Sequence, residues 1–279
     1  MSILLHGDCL EEMKSIDDKS IDLIFCDLPY GQTSCKWDCK IDLDKFWIEI
    51  MRIKKLNTPI FFTTTTKFGV DLINSAPKKC FFRYDIVWVK SALAGFLSAK
   101  KMPMRKHEMV YVFYEKLPFY DLSSHTHKFL KEGKKTEGDK GNECYGKFKY
   151  FNNGEKGYDP PLPTSVIKEG LRKDKHKTAY GDNIHYHNNQ QKNGESIYEP
   201  PLPTSMLEIK STRGKHSTEK PVALMEWILK YYSKEGDTVL DPTMGSGSTG
   251  VACKNMNRNF IGIEQDLEIY EVAVNRIED

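Results

Sequence analysis

The chain has no apolar run long enough to cross a bilayer. Its longest, such as Ile21–Cys26 and Ile60–Phe62, are strand-sized, far short of the roughly 20 residues a helical span needs. The opening Met1–Asp8 has neither the charged start nor the small-residue cleavage site of a secretion signal. Seven cysteines are an odd number, and no C-x-x-C pair occurs. Cys35 and Cys39 are the closest, with no histidine cluster beside them, so no metal site is expected. These absences predict a cytoplasmic chain with reduced thiols and no membrane contact. Neither sign of charge dominates: 41 Lys+Arg face 39 Asp+Glu, a net charge of +2. That excludes a histone-like polycation but not nucleic-acid binding, which depends on where charge clusters.

What is present is ordinary for a globular protein. The 279 residues are 39% hydrophobic, 11% aromatic and 29% charged, which excludes collagen, coiled coil and disorder throughout. The length suits one large domain, or one with a sizeable insertion. Three zones follow in order. Residues 1–115 carry strand-like runs at Ile3–His6, Ile21–Cys26, Pro59–Thr63, Tyr84–Val89 and Met109–Tyr114. Leu43–Lys55 predicts a helix, from Phe46, Trp47, Ile50 and Ile53 at helical spacing. In residues 216–279, Pro221–Tyr232 predicts a helix capped by Ser217 or Thr218. Strand Thr238–Leu240, helix Thr249–Asn255, strand Asn259–Glu264 and helix Leu267–Ile277 then follow. This alternation predicts a mostly parallel α/β sheet covered on both faces.

The zone between is polar. Residues 125–220 hold 18 Lys+Arg against 13 Asp+Glu, an excess of five, and six of the eight histidines. Asn153-Gly-Glu-x-x-Tyr-x-Pro-Pro-Leu-Pro-Thr-Ser165 recurs at Asn193–Ser205. Two copies are too few for a solenoid. A tandem duplication in a tolerant loop and a pair of equivalent clamps on a partner both account for it.

Two motifs carry chemistry. Asp241-Pro-Thr-Met-Gly-Ser-Gly-Ser-Thr249 follows a strand and opens a helix. Glycines let backbone approach a ligand, and a helix N-terminus offers free N–H groups. Glu264 ends the next strand about 20 residues on, where dinucleotide folds bind ribose hydroxyls. The G-x-G-x-T spacing differs from the G-x-G-x-x-G of nicotinamide enzymes, and the lysine of a P-loop is missing. By itself the turn reads equally as a tight strand-to-helix connection. The second motif, Asp27-Leu-Pro-Tyr30, ends strand Ile21–Cys26. Asp accepts N–H bonds and Tyr stacks, so the four residues can hold a planar polar group; a plain strand-ending turn would look the same.

Together, and in this order, the motifs resemble the S-adenosylmethionine-dependent amino-methyltransferases of DNA. Asp27, Leu28, Pro29 and Tyr30 are similar to that family's catalytic [DNS]-P-P-[YFW] motif. Asp241, Pro242, Thr243, Gly245, Ser246, Gly247 and Thr249 are similar to its methyl-donor loop. Gly7-Asp8 resembles the segment whose acid contacts the donor adenine. His216-Ser-Thr-Glu-Lys-Pro221 resembles H-P-T-[QE]-K-P, with Lys220 near the donor carboxylate. Gly31–Asp38, with Lys36 and Trp37, resembles a mobile loop on the DNA side. Arg105-Lys106-His107-Glu108 resembles the segment before the last sheet strand, with Arg105 and His107 as DNA contacts. Leu28 replaces the usual first proline but keeps the backbone carbonyl that position contributes.

The resemblance implies a Rossmann-like methyltransferase fold with a seven-stranded sheet. It implies the circularly permuted β order, with the catalytic motif before the donor loop. Residues 1–115 and 216–279 would form the catalytic domain, and 116–215 a target-recognition insertion. Permutation places the last helix next to the first strand, so the chain ends should meet. The implied activity is methyl transfer from S-adenosylmethionine to adenine N6 of flipped-out bases in duplex DNA. The leading Asp favours adenine over cytosine N4. A cognate restriction endonuclease is an allowed partner, and monomer and homodimer stay open. The motif order argues against RNA and protein-glutamine methyltransferases, and two intact motifs argue against a non-catalytic DNA-binding module.

Overall fold

The computed structural model describes residues 1–31, 40–95, 98–124, 126–129, 156–159, 166–168 and 220–278, with 91–94, 126–129, 156–159 and 166–168 as backbone only. The chain divides into two compact units. The larger, Met1–Phe119 with Ser165–Asp279, holds an eight-stranded sheet. Its strands are β1 (Ser2–His6), β2 (Leu23–Cys26), β3 (Ile60–Thr64), β4 (Phe81–Ala94), β5 (Arg105–Tyr114), β8 (Val166–Lys168), β9 (Thr238–Asp241) and β10 (Asn259–Glu264). They lie in the order β1-β10-β9-β2-β3-β5-β4-β8. The smaller unit, Tyr120–Thr164, pairs β6 (Thr126–Phe129) antiparallel with β7 (Lys156–Asp159). All seven strands expected from sequence are present; β8 is an eighth, pairing parallel with the edge of β4. Part of the segment expected as an insertion therefore returns to the main sheet. An edge strand has unpaired N–H and C=O groups, which β8 satisfies over three residues.

Only β5 runs against the rest: β3 and β4 both pair with it antiparallel. β2 and β3 are buried along their whole lengths, as expected where helices cover both faces. Helix α2 (Leu43–Ile53) buries Phe46, Trp47, Ile50 and Ile53. Its N-cap Asp42 accepts from Lys45 N at 3.1 Å. Phe46 and Trp47 meet Phe62 edge to face at 6.1 and 5.6 Å, and Phe62 meets Phe113 the same way at 5.4 Å, the favoured arrangement for aromatic rings.

Two helices were not expected: the four-residue α1 (Cys9–Glu12) and α3 (Thr66–Ser75). Gly69 within α3 weakens its helical signal. It is needed there because a Cβ would lie 2.4 Å from the Tyr111 ring. Helix α4 (Val222–Tyr232) starts one residue after the expected position; Pro221 is its N-cap, with no side-chain capping bond. The caps expected at Ser217 and Thr218 lie outside the described residues. Helix α5 (Ser248–Asn255) follows β9, and α6 (Leu267–Glu278) follows β10.

The chain ends do meet. β1 pairs parallel with β10 from Ser2↔Phe260 to His6↔Glu264. Tyr270 Oη of α6 donates to Leu4 O at 3.2 Å, and its ring lies 5.3 Å from His6. The four cysteines among the described residues, Cys9, Cys26, Cys80 and Cys253, are buried and unbonded to one another. Burial pushes the Cys9 thiol up to about 12 and Cys80 to about 11. Among the described residues, no helix is long and apolar enough to cross a membrane and no cluster of metal-ligating side chains occurs.

Candidate active site

Strand order reverses between β9 and β2, which lie side by side. Chain leaving β9 goes to β10 on one side, and chain leaving β2 goes to β3 on the other. Such a switch opens a crevice beyond the strands' carboxyl ends. Both sequence motifs sit there: Asp241 ends β9, and Asp27 directly follows β2. Because β5 is antiparallel, its beginning reaches the same edge, with Met109 opposite Thr64.

Asp27 is the centre of a bonded group. Its Oδ1 accepts from Tyr30 Oη at 3.0 Å and from Thr63 Oγ1. Its Oδ2 accepts from Lys220 Nζ at 2.5 Å. Lys220 also lies 3.8 Å from Glu108 Oε2, and Lys90 Nζ holds Glu108 Oε1 at 2.6 Å. Burial opposes the Lys220 charge, but Asp27 and Glu108 outweigh it and hold its ammonium above the ordinary value. Burial and Asp27 push the Tyr30 hydroxyl well up, so it stays protonated and donates. The Tyr30 ring packs on Phe68 at 5.3 Å. Leu28 is buried, and Pro29 is half-buried between it and Tyr30.

The glycine loop forms a second group. Asp241 is buried; it accepts from Thr243 N at 3.1 Å and Thr249 Oγ1 at 2.6 Å. Burial pushes its carboxyl up to about 7, against the two hydrogen bonds. Gly245 (φ +51°) donates its N–H to Glu264 Oε2 at 3.0 Å, and Asp266 N donates to Oε1 at 2.9 Å. Gly247 (φ +82°) is the N-cap of α5; a Cβ there would meet Ile277 at 2.9 Å. Its left-handed backbone and close packing on α6 both require glycine. Pro242 is buried and Ser246 half-buried. Arg276 Nη1 of α6 donates to Ser246 O at 3.2 Å, Ser246 Oγ at 3.1 Å and Ser248 Oγ at 3.3 Å. Asp8, exposed after β1, caps α1 by accepting from Leu10 N at 2.8 Å.

The DNA methylase family model matches residues 21–275. The chain belongs to this family. M.HinfI, a type II methyltransferase of Haemophilus influenzae, is 26% identical over the whole of this chain, which spans 69% of that protein. Two shorter matches to type II methyltransferases, 61 and 59 residues at 48% identity, cover less than a quarter of each relative. Among solved structures, the M1.HpyAVI–SAM complex is 19% identical with a TM-score of 0.56, covering 99% of this chain and 100% of that one. PvuII DNA methyltransferase (cytosine-N4-specific) is 13% identical with a TM-score of 0.59, covering 100% of this chain and 86% of that one. Both support the Rossmann-like fold.

In this methylase the structure adds Thr63 and Lys90, which the motifs did not name, and gives Glu108, quoted only within a segment, a place at the site. Thr63, Lys90 and Glu108 reach the Asp27 group from β3, β4 and β5. A run of threonines ending a strand, Thr63–Thr66, and the Glu108 in the Arg105–Glu108 segment were the available signals. Arg105 is exposed and His107 half-buried on β5. Burial and Arg105 hold the His107 imidazole below its ordinary value. Lys36, Trp37 and the second repeat copy lie outside the described residues; the first copy is described only as β7 backbone.

Proposed function

We propose that this DNA methyltransferase transfers methyl from S-adenosylmethionine to adenine N6 in duplex DNA. The carrying observation is Asp27 at the switch point, its carboxylate aimed by Thr63 and Tyr30 at the end of β2. When bound, S-adenosylmethionine supplies an electrophilic methyl on a sulfonium.

The residues present fit that donor. Thr243 Oγ1 is buried without a hydrogen-bond partner among the described residues, a polar atom waiting for a ligand. Nothing lies within 4 Å of a Cβ built on Gly245, so the loop is open there. Glu264 and Asp8 would take the ribose and adenine, and Asp241 to Thr249 would line the rest. Lys220 would face the donor's carboxylate end.

An exocyclic aromatic amine is a poor nucleophile, because its lone pair is delocalised into the ring. Asp27 and the Leu28 carbonyl would each accept one N–H bond. That draws the nitrogen toward tetrahedral and frees the lone pair for in-line attack. The bound donor would supply the methyl and keep the bonding pair of the broken S–CH3 bond, and Asp27 would accept the proton that the methylated nitrogen gives up. Tyr30 would stack on the base and favour the positive charge that develops on nitrogen. Positioning supplies most of the rate.

The base must leave the duplex to reach Asp27. Residues 116–215 would read the target, with their excess of positive charge on phosphates. Lys36, Trp37, Arg105 and His107 would contact the flipped strand. The leading Asp supports adenine over cytosine. The type II names of the relatives support a place beside a cognate restriction endonuclease.

Labelled methyl transfer to unmethylated genomic DNA, followed by sequencing that detects modified bases, tests the reading. Methyladenine at one short motif is the expected result. Methylcytosine would overturn the base assignment. Donor binding without transfer to DNA would overturn the activity.

A further inference from the structure

The Asp27 carboxylate that must accept the substrate amine already has an ammonium on it. Lys220 Nζ sits 2.5 Å from Oδ2, and Tyr30 and Thr63 occupy Oδ1. An entering amino group meets Lys220 in the position it needs. Lys220 needs another acceptor once it leaves Asp27. Its side chain is 14% exposed, and a desolvated ammonium without a partner is costly.

A second carboxylate stands ready. Glu108 Oε2 is 3.8 Å from Lys220 Nζ, too long for a hydrogen bond. It is buried and has no hydrogen-bond partner among the described residues. Its other oxygen is fixed by Lys90 at 2.6 Å. The Lys90 ammonium in turn lies 5.2 Å from the centre of the Trp88 ring. Glu108 is therefore pinned on one side and open on the side that faces Lys220. The four side-chain charges, two of each sign, balance before and after the exchange, and the donor's carboxylate, which Lys220 would also face, adds one negative charge.

We propose that Glu108 is a positioning residue that takes Lys220 from Asp27 when the substrate amine enters. This rests on the amino-methyltransferase reading of the site. A shift of about 1 Å brings Lys220 Nζ within hydrogen-bond distance of Glu108 Oε2. Asp27 Oδ2 is then open to the amine. In this role Glu108 acts through Lys220, not on the donor or the base directly.

The test uses the full chain, S-adenosylmethionine and methyl-acceptor duplex DNA in single-turnover assays. Glu108→Gln keeps the shape of the side chain and removes its charge. It should slow methyl transfer about 10- to 100-fold, the loss expected for one charge-assisted hydrogen bond. Donor and DNA dissociation constants should stay within about threefold of wild type, a margin of under 1 kcal/mol. In a Lys220→Met background, measured at saturating donor, Glu108→Gln should cost less than about threefold, because nothing then blocks Asp27. Wild-type speed in Glu108→Gln would overturn the proposal. So would an equal loss of rate and donor binding, or the same loss in both backgrounds. Donor binding by the wild type without transfer to DNA would overturn the amino-methyltransferase reading, and this proposal with it. Wild-type transfer with Glu108→Gln unaffected would overturn only the role of Glu108.

Discussion

Asp241→Asn probes the most perturbed carboxyl in the donor loop. Asp241 is 2% exposed, and burial raises its carboxyl to about 7 from an ordinary 3.8. The folded chain thus holds this proton more tightly than the unfolded chain does. Below about pH 4 both states are protonated, and the group's contribution to stability is fully present. As pH rises toward 7 the unfolded chain ionises first, so stability falls by about 1.4 kcal/mol per pH unit. Above the folded value the loss levels off at about 4 kcal/mol, the cost of burying the charge. Asn keeps an oxygen to accept from Thr243 N and has no proton to lose. Urea unfolding of wild type and Asp241→Asn at pH 5, 6, 7 and 8 gives the difference directly, and titrating groups that do not interact with Asp241 cancel in it. The difference should move in favour of Asn by about 1.4 kcal/mol per unit up to pH 7 and then flatten. A difference that does not change with pH would refute the buried-acid reasoning.

Asp27→Ala should abolish methyl transfer and leave S-adenosylmethionine binding within about threefold of wild type, as read by calorimetry; loss of binding to the same degree as transfer would make Asp27 a donor ligand. Arg276→Met removes the side chain that ties α6 to Ser246 and Ser248. Donor affinity should fall about 3- to 30-fold with little change in transfer rate at saturating donor; a fall in rate alone would refute a loop-holding role. Gly262→Ala places a Cβ 2.3 Å from Met244 Sδ and 2.6 Å from the Phe260 ring. It should destabilise the fold by about 1–3 kcal/mol in urea titrations, and an unchanged midpoint would show that the loop yields easily. These join the Glu108→Gln test in asking whether the site works through a few fixed contacts.

Most strands were legible because their signals are local. Ile60–Phe62 and Ile21–Cys26 are short β-rich runs between turn residues, and Ile60–Phe62 and Leu23–Cys26 became fully buried strand. The Ile21 end pairs only by a bridge to Lys54, since β2 proper begins at Leu23. Helix α3 was not legible. Its Gly69 lowers helical propensity, and only the Tyr111 ring packed against it explains why glycine is there. Strand β8 was not legible either: three residues carry no period, and the β4 edge alone selects them.

The sequence by itself determined the order of the motifs, the alternating α/β pattern and the two acids that end β2 and β9. Those follow from residue type and spacing along the chain, which is all that local propensity and hydrophobic period need. Tertiary structure alone decided which charges meet. Asp27, Glu108 and Lys220 are separated by 81 and 112 residues along the chain, and no spacing rule links them. They converge because β2, β3 and β9 end at one edge of the sheet while antiparallel β5 begins there. Burial at that edge then turns ordinary side chains into a coupled group, by removing the water that would otherwise have satisfied each charge on its own.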